Sequence, residues 1–181
     1  ADVGQNGVSE FAALRTGNGW RQTNVVEAWL EMTFALRGSG GMAKAVASAL
    51  RDGGYTNGLI VARNERAGRA LAESLGYPWQ AELGERRPQM LINVTPVGMD
   101  GGPEAGQLAY ETEVIVAADI VFDVVAIPSE TPLIVRGRAE GKQVITGLEV
   151  IALQALEQFV LYTGVRPTDE QFQQAVAFAR S

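Results

Sequence analysis

The 181-residue chain contains no cysteine and no histidine. The first absence removes disulfide frameworks, thiol nucleophiles and thiolate metal sites. The second removes Ser-His-Asp chemistry, imidazole general bases and His-ligated zinc, leaving Lys, Tyr, Asp, Glu or the substrate itself for any proton transfer. Positive charge is also scarce: 15 Lys and Arg stand against 21 Asp and Glu. A net charge of -6 offers no basic footprint for nucleic acid or for an anionic membrane surface. No apolar run approaches the roughly 18 residues needed to span a bilayer, and the first residues lack the basic-then-apolar pattern of a secretory signal. A cytoplasmic protein with a small-molecule partner, and with no nucleic-acid, membrane or metal partner, is therefore the expectation.

What the chain does have is glycine, 21 residues of it, and an apolar fraction of 46%, the composition of a folded α/β protein. Residues 1–32 read as a loose lead-in punctuated by Gly4, Gly7, Gly17 and Gly19, ending in a short helix around Val25, Val26, Trp29 and Leu30. From Thr33 onward, strand-length apolar runs alternate with helix-length amphipathic ones, which implies a parallel sheet with crossover helices. The pattern predicts strands at 33–36, 59–62, 90–94, 120–125 and 143–145, and helices at about 41–52, 65–75, 106–117 and 132–140. Near-continuous apolarity in Leu59-Ile60-Val61-Ala62 and Ile120-Val121-Phe122 is expected when helices cover both faces of a sheet. The fold class is thus α/β, a doubly wound Rossmann-type parallel sheet over residues 33–181. Two C-terminal helices are appended. One runs from Gly147 to Gly164 with Leu148, Ile151, Ala152, Ala155, Leu156 and Phe159 on one stripe. The other starts near Thr168 and carries Phe172, Val176 and Phe178.

The run Gly38-Ser39-Gly40-Gly41-Met42-Ala43 lies between the first strand and the first helix. A Gly-x-Gly-x-x-Gly/Ala run in that place allows a tight turn, a close approach of backbone to a pyrophosphate, and close contact of helix with strand. Gly38, Gly40 and Ala43 hold the three positions, and the helix start at Gly41 offers unpaired N–H groups and a dipole suited to an anion. A flexible turn is the plainer account of Gly-Ser-Gly-Gly alone, but the flanking strand, helix and second strand supply the context that the fingerprint requires.

The end of the second strand distinguishes the two nicotinamide cofactors. An acid there hydrogen-bonds the ribose 2′-hydroxyl of NAD, whereas this chain has Ala62-Arg63-Asn64-Glu65-Arg66. A guanidinium fork suits a 2′-phosphate, so Arg63, with Asn64 and Arg66 beside it, favours NADP. The competing account makes Arg63 and Arg66 ordinary solvated residues at a helix start, with Glu65 close by.

With these residues in place, the chain from about Thr33 resembles the shikimate dehydrogenase family, and more closely its shikimate dehydrogenase-like members. The resemblance rests on five segments in the family's order: the loop from Gly38 to Ala45, Ala62-Arg63-Asn64, Ile92 to Met99, Phe122 to Pro132, and Gly147 through Gly164. It implies an NADP-dependent oxidoreductase that transfers hydride reversibly between nicotinamide and the ring ketone or alcohol of a small carboxylated substrate such as shikimate. It further implies that the loop holds the pyrophosphate, that Arg63 meets the 2′-phosphate, and that Asn93 and Thr95 line the cofactor groove. Val125, in the segment ending at Pro128, and Gly147 would flank the nicotinamide, and Gln154 would contact substrate. Without the resemblance, Gln154 reads as a helix-surface glutamine one turn from Gln158.

The chain also departs from the family pattern. The family's substrate domain of about a hundred residues, which supplies a catalytic lysine and aspartate, has no counterpart here. The lysines are Lys44, inside the first helix of the cofactor domain, and Lys142, before the last strand. The aspartate's nearest local match is Gln22-Thr23-Asn24, an amide that cannot exchange protons, and Ala126 stands where the family carries tyrosine. Residues 1–32 are accordingly read as a remnant of, or link to, a substrate domain. That domain is expected from a separate polypeptide, a second subunit or residues outside this stretch. The alternative function is an NADP-binding module without catalysis. Glu104, Glu111 and Glu113 read as a solvated face rather than a metal site, and Trp20, Trp29 and Trp79 as packing residues.

Overall fold

The computed structural model describes residues 30–179. Trp20, Trp29, the run Gln22-Thr23-Asn24 and most of the expected lead-in helix lie outside the described residues, as do the side chains of Val176 and Phe178. Six parallel strands form one sheet: β1 (Phe34–Arg37), β2 (Gly58–Val61), β3 (Trp79–Gln80), β4 (Met90–Asn93), β5 (Ile120–Asp123) and β6 (Gln143–Ile145). Their spatial order is β3-β2-β1-β4-β5-β6, the doubly wound Rossmann arrangement with its switch point between β1 and β4. The crossover helices are α1 (Gly41–Asp52), α2 (Glu65–Leu75), α3 (Thr112–Ala117) and α4 (Pro132–Ala139). They are followed by α5 (Gly147–Thr163) and α6 (Asp169–Ala179).

Side-chain alternation divides the strands between two cores. Phe34, Leu36, Ile60, Met90, Ile92 and Ile120 pack with Ala43, Ala47, Leu71 and Ala72 of α1 and α2. Ala35, Leu59, Val61, Leu91 and Val121 pack on the other face with Val114, Ile115, Leu133 and Ile134 of α3 and α4. β1, β2, β4 and β5 therefore bury residues on both faces, which accounts for their unbroken apolar runs. At roughly 25 cal/mol per Å² of apolar surface, this two-sided burial is the main stabilising contribution.

The expected strands and helices recur at nearly the expected places, with four differences. The helix expected at about 106–117 is confined to α3, Thr112–Ala117, because the preceding residues are held as a loop by Arg37 at the Ala109 carbonyl and by the Tyr110 hydroxyl at the Ala35 carbonyl. Strands β4 and β5 stop at Asn93 and Asp123 rather than at Val94 and Val125. The Asn93 Oδ1 accepts from the Thr95 amide at 3.1 Å and the Asp123 Oδ1 from the Val125 amide at 3.0 Å. A side chain that bonds its own backbone two residues on turns the chain out of the sheet. The edge strand β3 went unforeseen because two residues carry no periodicity. Finally, the apolar stripe on α5 is not buried: Ile151 and Phe159 are exposed, and Leu161 and Tyr162 beyond them are 79% and 82% exposed. Only Gly147 of that helix is buried, because α5 meets the sheet by its first turn and then runs clear of it. A capping box starts α5, with the Glu149 amide donating to the Thr146 hydroxyl and the Thr146 amide donating to the Glu149 carboxylate.

Candidate cofactor site

The glycine loop leaves the carboxyl end of β1 at the switch point. The Gly38 amide donates to the Val61 carbonyl at 2.9 Å, tying the loop to β2. Gly38 has φ of +137°, and a Cβ there would stand 2.8 Å from Val94 Cγ2 and 3.1 Å from the Val94 carbonyl oxygen. Only glycine tolerates that backbone and that contact, so the turn is set by the neighbouring β4 segment, with the Thr95 methyl 3.3 Å from the same point.

The next residues have the opposite surroundings. Gly40 caps α1 with extended backbone and no side-chain cap, the first turn holds no acid, and a Cβ on Gly40 or Gly41 would meet nothing within 4 Å. The first amides of the helix have no intrahelical acceptor, and here they open onto free space with the positive end of the helix dipole behind them. Met42 is exposed and Ser39 half-buried beside that space. Ala43 is fully buried and packs the helix onto the sheet, the place its small size fits. The loop thus has the room and the donors that a phosphate group needs.

Below the loop, a closed polar network joins β4 and β5. Asn93 and Asp123 are register partners, and both are fully buried. The Asn93 amide nitrogen donates to Asp123 Oδ1 at 3.0 Å and to the Val97 carbonyl at 3.1 Å. The Thr95 hydroxyl donates to Asn93 Oδ1 at 2.6 Å, and the Thr131 hydroxyl donates to Asp123 Oδ2 at 2.7 Å. Burial pushes the Asp123 carboxyl above its ordinary value, opposed by bonds from the Val125 amide, Thr131 and Asn93. Asn93 is therefore spent inside the network and positions Thr95, which lies against Gly38. The same network holds the turn that carries Val125. Gly147 sits directly on this turn, where a Cβ would be 2.4 Å from the Val124 oxygen and 2.5 Å from the Val125 carbonyl carbon. Val125 and Gly147, far apart in sequence, are thus adjacent. Gln154 is exposed two turns further along α5.

At the other end of the switch point lies the β2–α2 turn. Trp79, a packing residue as expected, donates from its indole to the Ala62 carbonyl at 3.2 Å and lies 4.3 Å beneath the Arg69 guanidinium. Arg69 also pairs with Glu65 at 2.8 Å, so Glu65 is engaged along the helix surface. Asn64 caps α2, its side chain accepting from the Ala67 amide at 3.0 Å, and Arg66 is exposed on the first helical turn. Arg63 projects outward and pairs with Glu104, with Nη1 to Oε1 at 3.3 Å and Nη2 to Oε2 at 3.4 Å. Glu104 therefore does not belong to a simple solvated face, whereas Glu111 and Glu113 are exposed.

Sequence reasoning assigned no role to Arg37, Tyr110, Asp123 or Thr131, and read Glu104 only as part of a solvated face. Arg37 donates to the Ala109 carbonyl and lies 5.9 Å from the Tyr110 ring centre. The Tyr110 hydroxyl reaches the Ala35 and Ile92 carbonyls at 2.9 and 2.8 Å, donating to one at a time. Burial raises its pKa far beyond the ordinary tyrosine value, against the lowering effect of Arg37. The available signal was a single charge closing an apolar run, as in Phe34-Ala35-Leu36-Arg37 and Ile120-Val121-Phe122-Asp123. Among the described residues no group of three His, Cys, Asp or Glu side chains could hold a metal ion, and no helix is long and apolar enough to cross a membrane.

The strand order, the glycine turn and the open helix start define a doubly wound dinucleotide-type domain. Comparison in sequence then makes the chain a member of the shikimate dehydrogenase family. It is 48% identical over 146 residues to a shikimate dehydrogenase-like protein of Haemophilus influenzae, covering 81% of this chain and 54% of that protein. It is 37% identical to a shikimate dehydrogenase (NADP(+)) of Acidiphilium cryptum, covering 77% of this chain and 51% of the relative. The solved structure of a shikimate 5-dehydrogenase-like protein superposes with a TM-score of 0.82 at 44% identity, over 87% of this chain and 60% of that one. The shikimate 5-dehydrogenase of Thermus thermophilus, solved with NADP(H) and shikimate, superposes with a TM-score of 0.71 at 27% identity, over 86% of this chain and 59% of that one. The chain thus spans about half the length of the curated relatives it matches, corresponding to their C-terminal portion. No protein-family model matches it.

Proposed function

We propose that this chain is the cofactor-holding part of an NADP-dependent oxidoreductase of shikimate dehydrogenase type, with residues 33–181 forming the cofactor domain. The observation that carries the reading is the start of α1: uncapped, free of acid and opening at Gly40 and Gly41 onto unfilled space at the switch point. There Gly38 to Met42 hold the pyrophosphate through backbone amides, and Arg63 at the β2–α2 turn takes the 2′-phosphate. The Thr95 segment, Val125 and Gly147 shape the far end of the groove. NADPH would supply the hydride for a ring ketone of a small carboxylated substrate such as shikimate's oxidised form. Gln154 and a separate substrate-binding part, a second subunit or another stretch of polypeptide, complete the substrate side.

Titration of the chain with NADPH, followed by the nicotinamide fluorescence, tests the binding; saturable enhancement is expected, and a flat titration refutes the reading. Reduction of dehydroshikimate by NADPH tests turnover.

A second reading, a binding module without chemistry, draws on the lysines. Lys44 is exposed on α1 and Lys142 donates to the Val116 carbonyl at 2.5 Å, so neither ammonium is placed to serve a reacting carbonyl as proton donor. Saturable NADPH binding together with a reduction rate no better than buffer selects this reading.

A further inference from the structure

Arg63 is not simply an exposed cation awaiting a ligand. Its fork faces the Glu104 carboxylate edge to edge, with both N···O contacts formed at 3.3 and 3.4 Å, longer than the roughly 2.7–2.9 Å usual for such charge-assisted pairs. The two partners are unequally held. The Arg63 side chain is 72% exposed and that of Glu104 only 27%. Glu104 sits in the loop of residues 94–111, where its carbonyl accepts from the Gly98 and Gln107 amides at 2.9 and 3.1 Å. The far end of that loop is fastened to the sheet by Arg37 at the Ala109 carbonyl and by the buried Tyr110 hydroxyl. The carboxylate is therefore the fixed member and the guanidinium the movable one.

We propose that Glu104 sets the cofactor selectivity of the site by competing with the 2′-phosphate for Arg63. The inference rests on the NADP reading above. A carboxylate and a phosphate edge present the same pair of acceptor oxygens to the same planar fork. A 2′-phosphate must draw Arg63 away from Glu104 and then lie near a carboxylate whose backbone is held in place. A ribose 2′-hydroxyl meets neither obstacle, because it needs no cation. Glu104 thus lowers the preference for the phosphorylated cofactor that Arg63 creates.

The test compares the wild-type chain, Glu104→Gln and Arg63→Ala by calorimetric titration with adenosine 2′,5′-bisphosphate and with 5′-AMP, and by fluorescence titration with NADPH and NADH. Glutamine keeps the size of the side chain and removes its charge. An exposed ion pair is worth at most about fivefold in affinity, and like-charge repulsion adds to that. Glu104→Gln is therefore expected to tighten adenosine 2′,5′-bisphosphate and NADPH by about three- to tenfold, leaving 5′-AMP and NADH within about twofold. Arg63→Ala should abolish the preference for the phosphorylated ligands. If wild type binds NADPH and Glu104→Gln leaves its affinity unchanged or weakens it, Glu104 is no competitor and the proposal falls while the cofactor reading stands. If NADPH fails to bind any of the three proteins, the cofactor reading falls and takes the proposal with it.

Discussion

Asn93 Nδ2 donates to Asp123 Oδ1 at 3.0 Å across the β4–β5 pair, and that one bond couples the turn behind the glycine loop to the turn beneath α5. Asp123 accepts at the same time from Val125 and Thr131. Replacing it with alanine strands three buried donors, each costing about 1–3 kcal/mol when left unsatisfied. Asp123→Ala should therefore unfold at markedly lower urea concentration than wild type. Asp123→Asn should lose less, because the amide oxygen still accepts from Asn93 and Val125. Equal midpoints for wild type and Asp123→Ala would show that the network holds nothing together.

The same carboxyl sets a pH dependence. Its folded pKa is raised above the ordinary 3.8 by burial, against the opposing hydrogen bonds. Between 3.8 and the raised value the folded chain binds more protons than the unfolded one, so this group's contribution to stability falls as pH rises through that window. Below 3.8 both states are protonated and the burial penalty on the charge is absent. Urea unfolding of wild type and Asp123→Asn across the acid range should show wild type losing ground to the variant as pH rises. The opposite slope would mean that the hydrogen bonds, not burial, dominate the carboxyl.

How far the fold and site were readable from sequence follows from where each signal is stored. Two-sided burial writes itself into apolar runs, so β1, β2, β4 and β5 and the helices α1 and α2 were legible within a residue or two, whereas α3 starts six residues later than expected. The glycine loop was legible because its small residues answer to local geometry, as the Gly38 contact with Val94 bears out. The Arg63–Glu104 pair spans 41 residues and the Asn93–Asp123 pair 30; neither partner's local pattern names the other. The stripe on α5 misled in the other direction, since an apolar helix face states that something covers it without saying what.

Gly147 joins α5 to β5 at a contact that leaves no space. A methyl group there would stand within 2.5 Å of the Val124 and Val125 carbonyls, and moving backbone atoms aside in a packed region costs typically about 1–3 kcal/mol. Gly147→Ala is expected to lower the melting temperature by several degrees, roughly 2–4 °C per kcal/mol for a chain of this size. It should also displace the start of α5, measurable as altered chemical shifts at Val125 and Thr146. Wild-type melting would show that this contact relaxes without cost.

The two ends of the glycine loop make opposite predictions, and the contrast separates fold from binding. Gly38→Ala puts a Cβ 2.8 Å from Val94 Cγ2 on backbone with φ of +137°, a conformation that costs a non-glycine residue about 1–3 kcal/mol before any clash. It should destabilise the domain and weaken NADPH together. Gly40 has φ of -83°, which alanine adopts freely, and its added Cβ would meet nothing within 4 Å. Gly40→Ala should therefore melt within about 0.5 kcal/mol of wild type, as surface substitutions usually do. Its methyl group nevertheless enters the space facing the α1 amides, where the pyrophosphate is proposed to lie, so NADPH affinity should fall about tenfold or more, which is 1.4 kcal/mol or more. A Gly40→Ala protein that melts like wild type and still binds NADPH as tightly would remove the phosphate from this helix start.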